Sequence, residues 1–469
     1  MSTPPPLPEP LLAITNCDGY EGQVMALYLA KHLEGCFGLK NQDKSSVDGD
    51  DKDDKDDKDK PKKPEPQIVC LARDLSKCKN LQNYRHIKLV EISHDKPETI
   101  SIALRGLETV VLVPEMEDNE VDLSDQFVDI MVQEQVIRCI LISAIGTDAN
   151  EKEHLARYRR IEDKVRTSIQ RWTILRQGFL FECLYYWIPM IQDQGILGMP
   201  IGPESKFTPL HIGDLGEALV SVTFPPDDDD DDDDDGDNDS HDQASAGLTK
   251  SKSTDTERSD HQTYTLTGSK RVTGPKLAED LNQALKVLSD DASPPPTVTF
   301  KTITRDECKN YFLSLREGTG APPTEAKEAP GFFASITRSL SQRRPWNFSG
   351  LFKSLEDDTQ KPVGEDAKKG PKDPKDPEEP SKPKDPKDPK DPKDPKNPKK
   401  PSKDHGPQVE PPNDTEVEMM LDLMDYIAEG RATFLSGDME KITGHQGMGP
   451  EEFFEKHGRD FRRRHSKDL

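Results

Sequence analysis

Six short apolar runs, most of them separated by helix-type patterns, constrain the fold of this chain more than any other feature of its sequence. The runs are LLAIT (11–15), IVCLA (68–72), IKLVEI (87–92), VVLVP (110–114), IRCILISA (137–144) and WTILR (172–176). Helix-type spacing lies between them over 22–34, 97–104, 124–136 and 151–168. Strands that are apolar throughout are buried on both faces of a sheet, and intervening helices supply parallel crossovers. The sequence therefore predicts a doubly wound, mostly parallel α/β sheet.

Four stretches interrupt this pattern and cannot bury a face. They are the Pro-rich start 1–10, an Asp/Lys run at 43–66, an acidic run at 225–262 with nine consecutive aspartates, and the KDP repeats within 356–415. Dense charge and regular proline favour extended, solvated chain. Because only 32% of the residues are apolar, we predict disordered insertions in one ordinary fold. The first two large insertions fall where a helix leads into a strand, away from the ligand crevice of such a sheet.

These boundaries predict the organisation of the chain. A doubly wound unit spans 11–224, a smaller α+β portion spans 263–315, and C-terminal helices occupy 416–469. Between them, the low-complexity linker 316–415 carries an aromatic and basic segment at 331–355. Docking to a partner, attachment to a membrane surface and simple packing all stay open for that segment.

Charge and cysteine content limit the partners and the compartment. A net charge of −25 argues against direct nucleic-acid binding by the whole chain. No run of about 18 apolar residues and no secretory leader is evident, which predicts neither a membrane span nor export. Seven scattered cysteines form no metal-ligand pair or disulfide framework, so we expect no metal and a reducing cytoplasmic setting. Basic residues at 462–464 leave nuclear entry open, and nothing in the sequence indicates an oligomeric state.

The turn after the first apolar run, from Thr15 to Gly22, carries the main chemical signal. Gly19 and Gly22 would let backbone N–H groups and a helix N-terminus approach a pyrophosphate. Asn16 stands where a first glycine would be expected, and asparagine tolerates positive φ. Asp18 and Glu21 bring negative charge to the same place and would compete with phosphate. A dinucleotide site, a weakened or lost one, and a plain tight turn are all compatible with this loop.

The turn resembles the Gly-x-x-Gly-x-x-Gly loop of the NmrA-like group of atypical short-chain dehydrogenase/reductases. Ala72-Arg73-Asp74 is similar to the family position beside the adenosine ribose, and ILISAIGTD (140–148) to its fifth strand. Similar stretches follow in order at 154–179, 207–222 and 263–285. The resemblance implies a Rossmann-like fold that binds NAD or NADP. Arg73 would suit a 2′-phosphate and favours NADP, a solvated arginine being the alternative.

The resemblance also implies which residues contact the cofactor. They are Thr15, Asn16, Asp18, Gly19, Tyr20, Glu21, Gly22, Arg73, Pro114, Ser143, Gly178 and Phe179.

Dehydrogenase chemistry of this superfamily needs a tyrosine acid with a lysine one helical turn on, and a nearby serine. Ser143 and Tyr158 are the candidate catalytic residues, but Glu162 occupies the lysine position and would raise the phenol pKa. Lys164 lies on another face of the helix. His154, Tyr158 and Glu162 either face the crevice or form an ordinary polar surface in which Glu162 pairs with Arg166. We favour the polar surface.

The missing lysine and the resemblance together predict a dinucleotide-responsive regulator or redox sensor of partner proteins, transcription factors among them, without dehydrogenase turnover. One alternative is an NAD(P)H-dependent reductase of small carbonyl or quinone-like compounds. Its substrate pocket would be lined by Phe179, Phe181, Tyr185, Tyr186 and Trp187, for which core packing is the favoured interpretation. A cofactor-free scaffold is the second alternative.

Overall fold

A computed structural model of the chain describes residues 10–42, 67–225, 259–288, 297–317 and 411–462. The predictions made for residues 1–9, 43–66, 226–258, 331–355 and the KDP repeats lie outside the described residues. The predicted bounds of two low-complexity stretches were too wide, because 259–262 and 411–415 belong to the fold: Asp260 is buried beside Arg138 and Arg171, and a helix begins at Asp414.

Seven parallel strands form the central sheet, in the order β3-β2-β1-β4-β5-β6-β9. Their bounds are β1 Pro10–Ile14, β2 Gln67–Ala72, β3 Ile87–Glu91, β4 Thr109–Leu112, β5 Arg138–Ala144, β6 Arg171–Gln177 and β9 Gln262–Leu266. The strand order reverses beside β1, which pairs in parallel with β2 on one side and β4 on the other. This is the doubly wound, Rossmann-like sheet that the apolar runs predict.

Helices cover both faces of the sheet. Those of the sheet unit are α1 Tyr20–Gln42, α2 Pro97–Leu104, α3 Glu120–Gln133, α4 Glu153–Ser168 and α6 Ile212–Thr223, with a short α5 Ile188–Gln194 beside β7 Ile196–Met199 and β8 Lys206–Phe207. Strand residues are apolar on both sides because each side packs on helices. Ala13 of β1 lies in the core beneath α2 and α3, and its neighbour Ile14 lies in the core beneath α1 and α6.

The two large N-terminal insertions enter the fold where the sequence predicts. Residues 43–66 fall between α1 and β2, and the acidic run falls between α6 and β9. Both junctions lead from a helix into a strand, at the amino ends of the strands. Rossmann-like sheets bind ligands at the carboxyl ends of their strands. Neither junction lies at those ends.

A smaller portion packs at the carboxyl side of the sheet. It contains β10 Val272–Thr273, α7 Gly274–Val287, β11 Thr299–Thr302, α8 Arg305–Glu317, α9 Asp414–Ala428, α10 Asp438–Thr443 and α11 Pro450–Phe461. There β11 pairs in parallel with β7, and β10 pairs antiparallel with β8. Asp422 of α9 accepts hydrogen bonds from the backbone and the ring of His154 in α4, which fixes α9 against the sheet unit.

Candidate functional site

The β1–α1 turn is held by bonds to the end of β4. Thr15 Oγ1 donates to the Val113 carbonyl over 3.0 Å, and Asn16 Nδ2 donates to the Pro114 carbonyl over 3.1 Å. Asn16 adopts a φ of +55°, as its place in the glycine pattern predicts. A Cβ on Gly22 would overlap the Asn16 carbonyl and lie 2.9 Å from the Thr15 carbonyl oxygen. Only glycine lets α1 begin this close to the turn.

A cavity of about 740 Å³ opens beside this turn, at the carboxyl ends of β1, β2, β4, β5 and β6. Its lining comes from the turn itself, the loop after β2, the loop after β4, Ala144, and Gln177-Gly178 after β6. The far wall is apolar and consists of Leu180, Cys183, Tyr186, Phe312, Val417, Met419, Met420 and Leu423. The volume falls in the range of ligand sites, and the place is the crevice at a topological switch point.

The N-terminal end of α9 closes the cavity opposite the sheet. Asn413 caps α9 by accepting from the Glu416 amide over 2.9 Å, and its side-chain amide donates to the Met116 carbonyl over 2.8 Å. Thr415 Oγ1 donates to Asp118 Oδ1 in the same loop after β4. The two facing walls of the site, α9 and the loop after β4, therefore lie roughly 300 positions apart in the chain.

Carboxylates outnumber cations in the lining. The acidic side chains are Asp18, Glu21, Glu115, Glu117 and Glu416, and the basic ones are Arg73, Lys77 and Lys79. Burial raises the pKa of Glu21 to about 7, against a hydrogen bond from Gln177 that lowers it. Burial also raises the pKa of Asp18, although the backbone amides of Asp18 and Arg73 donate to its carboxylate. A phosphate at the turn would compete with Asp18 for its amide.

Arg73 lies among the acidic side chains at the end of β2. Its Nε is 3.0 Å from Glu115 Oε2, its Nη2 is 2.7 Å from Glu117 Oε1, and Asp18 follows at 4.0 Å. Glu115 is also 2.9 Å from Nε2 of His94. The arginine side chain is 39% exposed and is paired with these carboxylates at the same time, so it is partly solvated, as the alternative from sequence has it, but not unpaired.

Eight of the predicted cofactor-contacting residues line this cavity: Asn16, Asp18, Gly19, Tyr20, Glu21, Arg73, Pro114 and Gly178. The other four, Thr15, Gly22, Ser143 and Phe179, are not among its lining residues. Thr15 and Gly22 instead fix the turn, Thr15 through its bond to Val113 and Gly22 through its close packing on the Asn16 carbonyl. Phe179 is buried and packs edge-on against Phe207.

The two candidate catalytic residues, Ser143 and Tyr158, are not among the residues that line the cavity. Ser143 donates to Glu162 over 2.7 Å, and Glu162 is fully buried between Arg176, at 2.6 Å, and Arg166, at 2.9 Å. Tyr158 is only 2% exposed, and its pKa is raised by burial first and then by Glu120 and Glu21. The direction of that shift agrees with the sequence prediction, but its cause is burial and not Glu162.

The polar line on α4 matches neither interpretation made from sequence. The Glu162–Arg166 pair is present, but Tyr158 and Glu162 are buried against the sheet and His154 contacts α9. In the aromatic cluster, Phe179, Phe181, Tyr185 and Trp187 pack in the core as favoured. Tyr186 is partly buried and lines the cavity.

Several lining residues were missed from sequence. Glu115 and Glu117 lie in the loop after β4, Gln177 ends β6, and Glu416 comes from α9. The rule that ligands bind at the carboxyl ends of the strands would have found the first three. Nothing local signals Glu416. Within the described ranges, no cluster of three or more His, Cys, Asp or Glu side chains could hold a metal, and no helix is both long and apolar enough to cross a bilayer.

Comparison with known proteins agrees with this geometry. A family model described as NAD(P)H-binding matches residues 62–182. An NAD(P)H azoreductase from Xenophilus azovorans is 23% identical over 157 residues, 33% of this chain. The matching region spans about half, 54%, of the azoreductase.

Solved structures share the fold at low sequence identity. A nucleoside-diphosphate-sugar epimerase from Staphylococcus aureus aligns with a TM-score of 0.50 at 11% identity, covering 95% of this chain and 99% of the epimerase. An NADPH-dependent quinone oxidoreductase from Escherichia coli, solved with NADPH, aligns with a TM-score of 0.51 at 14% identity, covering 94% and 98%. At such identities the likeness concerns the fold.

Proposed function

Starting from an NAD(P)H-binding domain on a Rossmann-like fold, consistent with the NmrA-like group, we propose that this chain is a dinucleotide-responsive regulatory binder that lacks tyrosine–lysine dehydrogenase chemistry. The dinucleotide would lie across the carboxyl ends of β1, β2 and β4, and the protein would report its redox state to a partner protein. Transcription factors are the partner class that the resemblance implies, with a cytoplasmic location and nuclear entry as the matching expectation.

The observation that carries the proposal is the separation of the cavity from the superfamily's catalytic positions. The turn, Arg73 and Gly178 line the cavity, whereas Ser143 donates to a buried carboxylate and Tyr158 is packed in the core. A phenol that is buried and whose pKa is raised by that burial is a poor proton donor to a substrate. Binding without turnover is the function that this arrangement supports best.

The residues present fit a dinucleotide in shape more than in charge. The cavity volume, the close approach at Gly22 and the helix N-terminus after the turn suit a pyrophosphate. The carboxylates of Asp18 and Glu21 oppose it. When bound, a nicotinamide ring would supply hydride chemistry, and this chain's own contribution would be to hold and orient it.

Calorimetric and thermal-shift titration of the full chain with NAD⁺, NADH, NADP⁺ and NADPH tests the proposal. We expect a rise in melting temperature with at least one of them, because a ligand selective for the folded state stabilises it. No consumption of NADH or NADPH with carbonyl or quinone substrates should accompany binding. Measurable turnover that is lost on Tyr158→Phe would refute the proposal, and binding of none of the four dinucleotides would favour the cofactor-free scaffold.

A reductase is the second candidate, favoured by the apolar far wall of the cavity. Tyr186, Phe312 and Met420 could hold a flat apolar substrate next to Gln177 and Gly178. The proton that must accompany a hydride would have to come from a group other than Tyr158. Glu21, with its pKa raised to about 7, is the acid in place. Consumption of NADPH with a quinone, lost on Glu21→Gln but kept on Tyr158→Phe, would favour this candidate.

A further inference from the structure

We infer that the adenosine end of this cavity selects a dinucleotide with a free 2′-hydroxyl and rejects one with a 2′-phosphate, because carboxylates already neutralise Arg73. The inference rests on the proposed dinucleotide binding and goes beyond it, since it names the form of the ligand. It also reverses the expectation from sequence that Arg73 favours NADP.

The position of Arg73 in the fold sets which part of the ligand it would meet. Arg73 directly follows β2, the strand next to β1, and it lines the cavity. In Rossmann-like sheets the ribose of the adenosine lies at this strand end, where an acidic side chain binds the 2′-hydroxyl or an arginine binds the 2′-phosphate. The charge that surrounds Arg73 therefore determines which form fits.

Two carboxylates occupy one edge of the guanidinium. Glu115 contacts Nε at 3.0 Å and Glu117 contacts Nη2 at 2.7 Å, so one of the two forked edges that could clasp a phosphate is already in use. Together with Asp18 they raise the pKa of Arg73, although its burial acts in the other direction. The arginine stays charged, and the two carboxylates that contact it carry more negative charge than its single positive charge.

Glu115 is fixed in place by further contacts. Only 4% of its side chain is exposed, and the ring of His94 lies 2.9 Å from its other oxygen. The opposite ring nitrogen of His94 is 2.7 Å from Gln126 Oε1 in α3. Such a carboxylate cannot swing away to solvent, so a 2′-phosphate would have to bind beside a buried negative charge.

The remaining charges at this end do not change the balance. Lys77 and Lys79 line the cavity, but both act on the nearby carboxylate of Asp74. The acidic side chains that line this end are Asp18, Glu115 and Glu117, and the basic ones are Arg73, Lys77 and Lys79. A 2′-phosphate beside Arg73 would lie next to the carboxylates of Glu115 and Glu117, which already contact the guanidinium. Ribose hydroxyls instead donate hydrogen bonds to carboxylates.

Isothermal titration of the full chain with NAD⁺ and NADP⁺ tests the inference. We expect NAD⁺ to bind tighter by a factor on the order of ten or more. Glu117→Gln and the double variant Glu115→Gln/Glu117→Gln should reduce that factor step by step, mainly by tightening NADP⁺. Glu98→Gln removes the same charge from the exposed surface of α2 and should leave the ratio unchanged.

Arg73→Ala provides a second test that does not depend on a buried substitution. If the carboxylates already neutralise the arginine, its removal should weaken NADP⁺ binding by no more than a few-fold relative to NAD⁺. A selective loss of NADP⁺ affinity on the order of ten-fold or more would overturn the inference. Equal or tighter binding of NADP⁺ to the wild-type chain would overturn it too, while leaving the proposed function intact. Binding of neither dinucleotide would overturn both.

Discussion

Glu21 is the residue at which charge and ligand binding conflict most directly. It stands in the first turn of α1, where negative charge favours the helix dipole but opposes a phosphate. Burial raises its pKa to about 7, so the side chain is largely neutral in mildly acidic solution and ionised in mildly alkaline solution. A protonated Glu21 removes one of the charges that compete with an anionic ligand.

The same pKa makes stability depend on pH. Between its ordinary pKa and about 7, Glu21 binds more protons in the folded than in the unfolded chain, so its contribution to stability is lost as pH rises. Glu21→Gln should therefore be near neutral at pH 5 and stabilise the protein by about 1–3 kcal/mol at pH 8. Thermal unfolding of both proteins at the two pH values measures this difference.

Glu151→Gln is the matched control for that experiment. Glu151 is an exposed carboxylate whose pKa is lowered, first by a hydrogen bond from its own backbone amide. Its replacement should give no gain at pH 8. A Glu21→Gln variant whose gain in melting temperature is the same at pH 5 and pH 8 would contradict the prediction. Other acidic groups with raised pKa values, among them Asp18, Glu120 and Asp214, are present in every protein compared.

At the residue scale, sequence reasoning found the turn but not its electrostatic surroundings. Asn16 at positive φ and the glycines could be predicted because their constraints are local to the turn. The pairing of Arg73 with Glu115 and Glu117 could not, because it joins the ends of two strands about 40 residues apart in the chain. Tyr158 was judged by its neighbour one turn on, whereas its burial depends on the packing of α4 against the rest of the fold.

At the scale of elements, the β1–α1 unit is the part of the fold that sets the geometry of the cavity. Gly22→Ala places a methyl group against the carbonyl oxygens of Asn16 and Thr15. We expect a loss of about 1–3 kcal/mol in stability, since the helix must shift to relieve the overlap. Dinucleotide binding should weaken at the same time. Unfolding in denaturant and titration of the variant measure the two effects.

Gly35→Ala makes the same chemical change further along α1. Gly35 is exposed, and a Cβ there would meet no atom within 4 Å. Replacement of a helical glycine by alanine should stabilise the protein by about 0.5–1 kcal/mol and leave binding unchanged. If Gly22→Ala changed stability and dinucleotide binding in the same way as Gly35→Ala, the close packing at the turn would not determine either of them.

The strands were the elements best predicted from sequence. Apolar runs such as IVCLA and IRCILISA coincide with β2 and β5 because burial on both faces leaves a continuous signal. Ends of helices were harder to predict: α1 extends to Gln42, beyond the last apolar position at Leu33 that indicated it. The role of α9 could not be predicted, since no local pattern tells which cavity a distant helix will close.

At the scale of the whole molecule, the cavity joins the first and the last parts of the chain. Its lining runs from Asn16 after β1 to Leu423 in α9. Asn413 connects them, because it caps α9 and also bonds to the Met116 carbonyl in the loop after β4. A ligand in the cavity would contact both parts and should stabilise their association.

Asn413→Ala tests that connection. Loss of the capping bond alone costs about 1 kcal/mol, and the lost bond to Met116 should add to it. We expect a lower melting temperature and weaker dinucleotide binding. Asn119→Ala is the control, because Asn119 occupies the same position before α3 but its side chain makes no capping bond. Equal effects of the two substitutions on binding would contradict a closing role for α9.

The two junctions between helix and strand at 43–66 and 226–258 have a practical consequence. Each begins after a helix and ends before a strand, so each emerges at the amino edge of the sheet, away from the cavity. Sequence added or exchanged there changes chain length without altering the wall that a ligand would touch. A fluorophore or affinity tag grafted into either junction should therefore leave the affinity for the ligand unchanged.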